Sequence, residues 1–392
     1  MAASDPMTID ERRKYLAKMA PRYQKGNKQE RGRLLDEMEA VTGLHRKSLL
    51  RLLGAPSLER RHRPTGRGRT YGAVTEDVIR VVWESLDYVC TERLTPALLP
   101  MAQHLASCGE VRLTEEVEQQ LATISRATVG RLLERLRQDT PRLPRRGPER
   151  ANRVRQEVPM KRIPWDVAEL GHFEVDLVHH TGGSAAGDYV HTLQLIDVAT
   201  GWSERAAVLG RGQTAMEEGF QRVLDRLPFP IKELHPDNGP EFFNDHLVRF
   251  FGEAITGLRL SRSRPYRKND NRFVEQKNDS LVRAYFGTAR LDTRAQCDAL
   301  NALYDQMWTY YNLFQPVLHL ESKEVMEGRL RRRWDRAATP YERVLRTEVL
   351  TQDTQQRLAA LRAATNPRQL RRAIYVAIPR LWDLPAAGRR VA

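Results

Sequence analysis

The sequence predicts a mixed α/β sheet covered by helices over residues 165–315, preceded by helical blocks and followed by a mainly helical region. Two runs rich in β-branched and aromatic residues, HFEVDLVHH (172–180) and YVHTLQLIDV (189–198), indicate the first strands of this sheet. Further along the chain, helical patterns alternate with short strand-like runs, which is typical of a sheet flanked by helices. Before residue 139, amphipathic helical periodicity prevails.

The first predicted domain, residues 1–57, is a helix-turn-helix. Segment 30–53 reads as two amphipathic helices that meet at Gly43, a residue suited to the turn. The side chains expected to be buried are Met38, Leu44, Leu49 and Leu52. Those expected to face DNA on the second helix are His45, Arg46, Lys47 and Arg51. A plain helical hairpin has the same periodicity and stays an alternative.

A second helical, helix-turn-helix-like DNA-binding domain is predicted over residues 74–138. It follows a basic linker, residues 58–73, in which Arg61 and Arg63 are candidates to follow a DNA groove. Ser125 is the expected N-cap of its last helix. That helix has an apolar face of Val129, Leu132, Leu133 and Leu136. The arginines expected to face away, as DNA contacts, include Arg126, Arg131, Arg135 and Arg137. Residues 139–164 form another basic linker.

Within residues 165–315 the predicted strands cover 172–180, 189–198, 202–209, 231–236 and 258–265. The predicted helices cover 214–227, 244–254 and 271–286. The remaining region, 316–392, is basic and mainly helical, although RRAIYVAI (371–378) fits a strand as well.

Charge is unevenly distributed in this basic chain. The formal net charge is +14, which points to a polyanionic partner such as double-stranded DNA. Residues 166–250, however, contain 6 Lys or Arg against 14 Asp or Glu. This acidic stretch fits a divalent-metal site or a solvated acidic face.

Three scattered cysteines give no disulfide framework and favour a reducing compartment. There is no secretory signal pattern at the N-terminus and no apolar run of about 18 residues. We therefore expect a soluble, cytoplasmic protein with no membrane partner.

Three carboxylates occupy distinct kinds of local sequence. Asp176 lies within the first strand, Asp237 ends a short strand before an Asn-Gly turn, and Glu275 lies early in a helix after a polar loop. Each has an ordinary explanation as a solvent-facing strand residue, a turn former or a helix-surface residue. Phe242 and Phe243 are expected to anchor the segment after the turn in the core.

Together these blocks resemble the DDE transposases and retroviral integrases. The matching segments are E-V-D-L-V, H-P-D-N-G-P-E-F and P-Y-R-K-N-D-N-R-F-V-E-Q-K-N. The resemblance covers roughly residues 165–315 and is greatest to bacterial insertion-sequence transposases. It implies an RNase H-like core in which Asp176, Asp237 and Glu275 bind two Mg²⁺ or Mn²⁺ ions. These ions would support cleavage and joining of phosphodiesters.

The resemblance also implies binding to the element's ends and to target DNA, and a dimer or larger homo-oligomer on DNA. Basic residues around the third carboxylate are candidates to grip phosphates: Arg267, Lys268, Arg272 and Lys277. Glu174 and Asp279 are either bystanders or auxiliary ligands. Surface or supporting roles are expected for His172, His179 and His180.

Two other functions fit the same sequence. One is a catalytically inactive, repurposed DNA-binding protein, against which the complete set of three carboxylates argues. The other is an RNase H-like nuclease or resolvase that cuts without strand transfer. The paired N-terminal DNA-reading modules favour the transposase.

Overall fold

The computed structural model describes residues 7–55, 57–58, 70–136, 169–184, 186–236, 242, 245–255, 257–261, 272–326 and 329–387. The chain divides into two compact units, Met1–Thr70 and Tyr71–Ala392. Among the described residues, no helix is long and apolar enough to span a bilayer.

The described part of the first unit contains three helices: α1 (Ile9–Lys25), α2 (Lys28–Thr42) and α3 (Arg46–Leu53). Gly43 ends α2 with a φ of +67°, a left-handed conformation that glycine adopts without strain. As predicted, Met38 and Leu49 are fully buried in the small core of this unit. Leu44 and Leu52 are only partly buried and pack against that core.

The second unit begins with four helices, α4 (Ala73–Ser85), α5 (Thr91–Ser107), α6 (Glu115–Thr123) and α7 (Arg126–Leu133). Ser125 caps α7 as predicted, since its hydroxyl accepts the Thr128 amide. The sequence pattern predicted residues 74–138 as a separate domain. In the structure, buried side chains of these helices belong to the same hydrophobic cluster as side chains of the sheet that follows.

The sheet has five strands in the order β3-β2-β1-β4-β5. The strands are β1 (His172–His179), β2 (Val190–Asp197), β3 (Ser203–Leu209), β4 (Glu233–Pro236) and β5 (Arg259–Leu260). The first three are antiparallel neighbours, whereas β4 runs parallel to β1 and β5 parallel to β4. The predicted mixed α/β sheet is therefore present, with β5 shorter than expected within the described residues.

Helices flank this sheet: α8 (Gln213–Arg226), α9 (Asp245–Ala254), α10 (Arg272–Lys277), α11 (Ala284–Phe286) and α12 (Arg294–Phe314). A π-helical segment, Asn278–Arg283, joins α10 to α11. Helix α12 lies along the edge strand β3, where Asn301 and Asn312 each bond to both the amide and the carbonyl of a strand residue. These bonds satisfy backbone groups that an edge strand otherwise exposes.

The C-terminal region contains a β-hairpin and three helices. The hairpin strands are β6 (Leu320–Met326) and β7 (Arg329–Trp334). The helices are α13 (Pro340–Leu345), α14 (Gln352–Ala364) and α15 (Pro367–Trp382). The hairpin was not predicted, because RLRRRW lacks the apolar alternation of a half-buried strand. The strand alternative for residues 371–378 is wrong: they lie in α15, which Asn366 caps.

Candidate functional site

Asp176 lies in the middle of β1, between two features that fix its carboxylate. One oxygen accepts the backbone amide of Leu177 at 2.8 Å, and the other accepts the side-chain amide of Asn278 at 2.6 Å. Asn278 is buried at the start of the π-helical segment. This hydrogen bond therefore joins strand β1 to the helical stretch that carries Glu275.

Glu174, two residues earlier on the same face of β1, is fully buried. Its carboxylate accepts the backbone amides of Phe273 and Val274 at 2.7 and 2.8 Å. These amides belong to the first turn of α10, where helical N–H groups lack partners within the helix. Glu174 thus holds the beginning of α10 against the sheet.

Glu275 lies in the first turns of α10 and is exposed. Two sets of hydrogen bonds attach its helix to β1. Glu174 of β1 accepts amides that precede Glu275, and Asn278, which follows Glu275, donates to Asp176 of β1. Asp279, the second candidate for an auxiliary ligand, forms an ion pair with Arg283 at 3.2 Å. Glu174 and Asp279 thus each have a described partner: the amides that begin α10 for Glu174, and Arg283 for Asp279.

Strand β4 approaches the same region. Pro236, its last residue, is the register partner of Val175, which directly precedes Asp176. Asp237 follows Pro236 in the sequence but lies outside the described residues, as does Phe243. Among the described residues, no group of three or more Asp, Glu, His or Cys side chains is placed to hold a metal ion. Phe242 is buried, as expected for an anchor of this segment.

No family model matches the chain. An uncharacterized protein of Sinorhizobium fredii (strain NBRC 101917 / NGR234), y4rM, is 34% identical over 325 residues, which cover 82% of this chain and 91% of that protein. The chain belongs to the y4rM family. Among solved structures, the catalytic core domain of BIV integrase matches 45% of this chain and 95% of its own, at 15% identity and a TM-score of 0.30.

In the N-terminal unit, two of the basic residues predicted to contact DNA have no described ion-pair partner. Lys47 and Arg51 on α3 are exposed, whereas Arg46 forms an ion pair with Asp36 of α2. Arg61 and Arg63 lie outside the described residues.

The predicted DNA contacts in the second unit differ in their surroundings. Arg126 is exposed and pairs with Glu92 at 3.5 Å, and Arg131 bonds within its own helix. Lys277 is half-buried, and its ammonium donates to the hydroxyl of Tyr311. Lys277 is therefore directed inward rather than displayed on the surface. Arg137, Arg267 and Lys268, and the side chain of Arg272, lie outside the described residues.

A cleft of about 410 Å³ lies beside α10. Its walls include Gln276 and Lys277 of the helix and Arg332 and Trp334 of β7. Arg331, Arg332 and Arg333 are exposed on this hairpin. These three arginines form a basic ribbon on β7. The ribbon was not predicted from the sequence, although the run of arginines beside Trp334 was a signal for it.

The histidines near Asp176 contact neighbouring side chains of the sheet. His172 bonds to Glu233 at 2.9 Å, and His180 to the hydroxyl of Thr192 at 2.8 Å. His179 contacts His191 at 2.8 Å. Burial lowers the pKa of His180 to about 4 and that of His191 to about 3, so both are neutral at pH 7.

Proposed function

We propose that the protein is a DDE-type DNA transposase that cuts and joins DNA strands. The observation that carries this proposal is the double attachment of the Glu275 helix to strand β1, through Glu174 and through the Asn278–Asp176 hydrogen bond. The two attachments support a common site for Asp176 and Glu275, which are far apart in the sequence but lie on elements that are in contact.

The position of strand β4 supports Asp237 as the remaining member of the carboxylate set. Asp237 directly follows Pro236 in the sequence, and Pro236 is paired with the residue before Asp176. The order of these elements is also the one that the DDE resemblance implies: a first aspartate within the first strand, a second after the fourth strand, and a glutamate on the following helix.

The donor set fits hard divalent cations, because carboxylate oxygens are the ligands that Mg²⁺ and Mn²⁺ prefer. Asp176, Asp237 and Glu275 would hold two such ions, which when bound polarise the scissile phosphate and activate the attacking hydroxyl. Asn278 and the Leu177 amide orient the Asp176 carboxylate.

Recognition of DNA would involve two basic surfaces. One is the exposed side of α3 with Lys47 and Arg51, which suits an approach to phosphates and base edges. The other is the exposed arginine ribbon of β7 beside the cleft along α10. The partners are double-stranded DNA of the element's ends and of the target, bound by a dimer or larger homo-oligomer.

The test combines the purified chain with DNA carrying both ends of its element, Mg²⁺ and a plasmid target, followed by sequencing of the joints. Asp237→Asn and Glu275→Gln are expected to keep DNA binding and to lose joining. Asp279→Asn is the matched control, since it alters an acid one helical turn after Glu275 that pairs with Arg283, and it is expected to join normally.

The same assay separates the alternatives. Cutting without joints would identify a nuclease or resolvase, and DNA binding with neither reaction would identify a repurposed DNA-binding protein. Normal joining by Asp237→Asn or Glu275→Gln would remove that residue from the proposed site.

A further inference from the structure

A small cavity, which shares Arg93 and Lys277 with the cleft along α10, lies among β3, the segment 272–286, α12 and α15. Its volume is about 60 Å³. The basic side chains that line it are Arg93, Arg205, Lys277 and Arg371. Tyrosines and the hydroxyl-bearing Ser280 form much of the remaining wall. The lining is therefore cationic and rich in hydrogen-bond donors.

Arg205 is the central residue of this cavity. Its side chain is 1% exposed, and it lies over the rings of Tyr304 and Tyr311, with Cζ 5.5 and 6.0 Å from their centroids. One Nη donates to the carbonyl of Leu281 at 3.4 Å. The Nε and the other Nη have no hydrogen-bond partner among the described residues. No described carboxylate pairs with this guanidinium.

Lys277 also contacts Tyr311. Its ammonium is 5.0 Å from the centroid of that ring and donates to the ring hydroxyl. Lys277 also has no carboxylate partner among the described residues. Two cations therefore share one tyrosine, and neither is neutralised by a described acid.

Arg371, elsewhere in the same wall, provides the contrast. It is as buried as Arg205, but it pairs with the equally buried Asp87 at 2.9 Å. Among the described residues, a carboxylate thus lies against the guanidinium of Arg371 and none lies against that of Arg205. Arg205 and Lys277 are the two cations of this wall that share Tyr311 without a described acid.

An unpaired buried charge is costly, and arginine cannot avoid the cost by losing its proton. Burial lowers the pKa of Arg205, which expresses that cost, although the group stays charged. Cation–π contacts with two tyrosines offset only part of it. The unpartnered Nε and Nη of Arg205 belong to a residue that lines this cationic cavity, and guanidinium N–H groups recognise oxyanions through charge-assisted hydrogen bonds.

We propose that this cavity binds one small tetrahedral oxyanion of the phosphate or sulfate class, with Arg205 and Lys277 as its cationic ligands. One water needs roughly 10–15 Å³ of such space, so the cavity has room for a few atoms and excludes a nucleoside. The ligand is either a free oxyanion or a terminal phosphate that enters alone.

The site has a consequence for the neighbouring helix. Lys277 is two residues after Glu275 on α10, and the Leu281 carbonyl that contacts Arg205 belongs to the π-helical segment. An oxyanion held between Arg205 and Lys277 ties this segment to β3. The binding itself requires no DNA chemistry, so it is tested independently of the proposed transposase function.

The experiment measures Tm of the full chain during titration with inorganic phosphate, with chloride adjusted to keep ionic strength constant, and measures stoichiometry by equilibrium dialysis with labelled phosphate. Wild type is expected to bind one phosphate and to show a saturating rise in Tm. Arg205→Met and Lys277→Met are each expected to weaken binding at least about tenfold.

Arg362→Met is the matched control. Arg362 also lies over two rings, those of Phe314 and Tyr341, and donates to one backbone carbonyl, but it does not line the cavity. Its variant is expected to keep the phosphate response. Without phosphate, Arg205→Met is expected to be as stable as wild type or more so, because removing an unpaired buried charge relieves its cost.

A second titration with a 5′-phosphorylated oligonucleotide, against its unphosphorylated form, distinguishes the two sources of the oxyanion. A response only to the phosphorylated oligonucleotide, abolished by Arg205→Met, would assign the site to a DNA terminus. Absence of any phosphate-dependent change in wild type, or an equal change in wild type and Lys277→Met, would overturn the proposal even if Arg205→Met does not fold.

Discussion

The two faces of strand β1 have opposite characters, although both are largely buried. One face carries Phe173, Val175 and Leu177, which join the hydrophobic cluster shared with α8 and the helices α4 to α7. The other carries Glu174 and Asp176, which bond to the segment 272–286. Neighbouring strands continue the polar face, since Asp176 is paired with Gln194 and Gln194 with Arg205.

The difference indicates that the two faces of the sheet contribute differently, one to stability and the other to the proposed chemistry. Apolar side chains stabilise a fold by removing surface from water, whereas buried carboxylates, amides and guanidinium groups stabilise it less and need specific partners. A row of Asp, Gln and Arg across three adjacent strands, β1, β2 and the edge strand β3, is therefore better explained by the proposed chemistry than by stability. Substitutions on the two faces test this explanation directly.

Asp176→Asn, on the polar face, is expected to have the largest effect. If the proposed function is correct, it should lower DNA joining by about 10³-fold or more, because a cation loses a charged ligand. Tm should fall only modestly, because asparagine keeps one carbonyl oxygen for the Asn278 amide and loses the acceptor of the Leu177 amide. Gel assays of joining and thermal melts measure the two effects. Joining within tenfold of wild type would contradict the prediction.

Phe173→Ala, on the apolar face, is expected to lower the free energy of unfolding by about 3–5 kcal/mol. Phe173 is fully buried and stacks on Phe229, with 5.9 Å between ring centroids. Urea denaturation measures this loss. Joining activity per folded molecule should stay near that of wild type. A loss of joining activity in the folded protein would contradict the proposed difference between the two faces.

Glu174→Ala tests the attachment of α10. The substitution leaves the buried amide of Val274 and the neighbouring amide of Phe273 without their acceptor, so we expect a loss of about 1–3 kcal/mol in the free energy of unfolding. Glu174→Gln retains an acceptor oxygen and should recover most of it. Hydrogen exchange at residues 273–274 provides the local measurement. Equal exchange in wild type and Glu174→Ala would mean that this carboxylate does not hold the helix.

His180 gives the smallest effect at pH 7, because its contribution changes the free energy of unfolding only as the pH falls below about 6.5. Its folded-state pKa, about 4, lies below the ordinary value of 6.5, so the unfolded chain binds more protons between these values. The stabilisation is complete above about pH 6.5 and is lost as the pH falls towards 4, with a slope of up to about 1.4 kcal/mol per pH unit.

His180→Gln should remove this contribution to the slope. Asp197 acts in the opposite direction: burial raises its pKa to about 6, so its contribution to stability decreases as the pH rises towards that value. The difference between the wild-type and His180→Gln curves isolates the histidine, because Asp197 is present in both. Parallel curves between pH 4 and 6.5 would show that His180 does not titrate as described.

The sequence predicted the early strands well because their signals are local. Alternation in HFEVDLV placed Glu174 and Asp176 on one face, and β1 as observed ends within one residue of its predicted limit. The turn glycine of the first unit, Gly43, was likewise predictable from its residue type. The third carboxylate, Glu275, lies in a helix as expected.

Other features were not predictable because they depend on packing. The IYVAI run is rich in β-branched residues, yet it is helical, since the Asn366 cap and burial of Ile374 and Ile378 in the core override the local preference. The hairpin at 320–334 forms from an arginine run that has no strand periodicity. Asn278, which bonds to Asp176, carries no signal that distinguishes it from other helical asparagines.

By itself, the sequence determined which side chains share a face of each strand and where three carboxylates fall relative to strand ends and a helix, since these properties follow from backbone periodicity and turn chemistry. Only the tertiary structure decided that Glu174 caps α10, that Asn278 meets Asp176, and that Arg205 and Lys277 surround one tyrosine. Those partners are about 70 to 100 positions apart in the chain, and such contacts form only when sheet and helices pack around a common core.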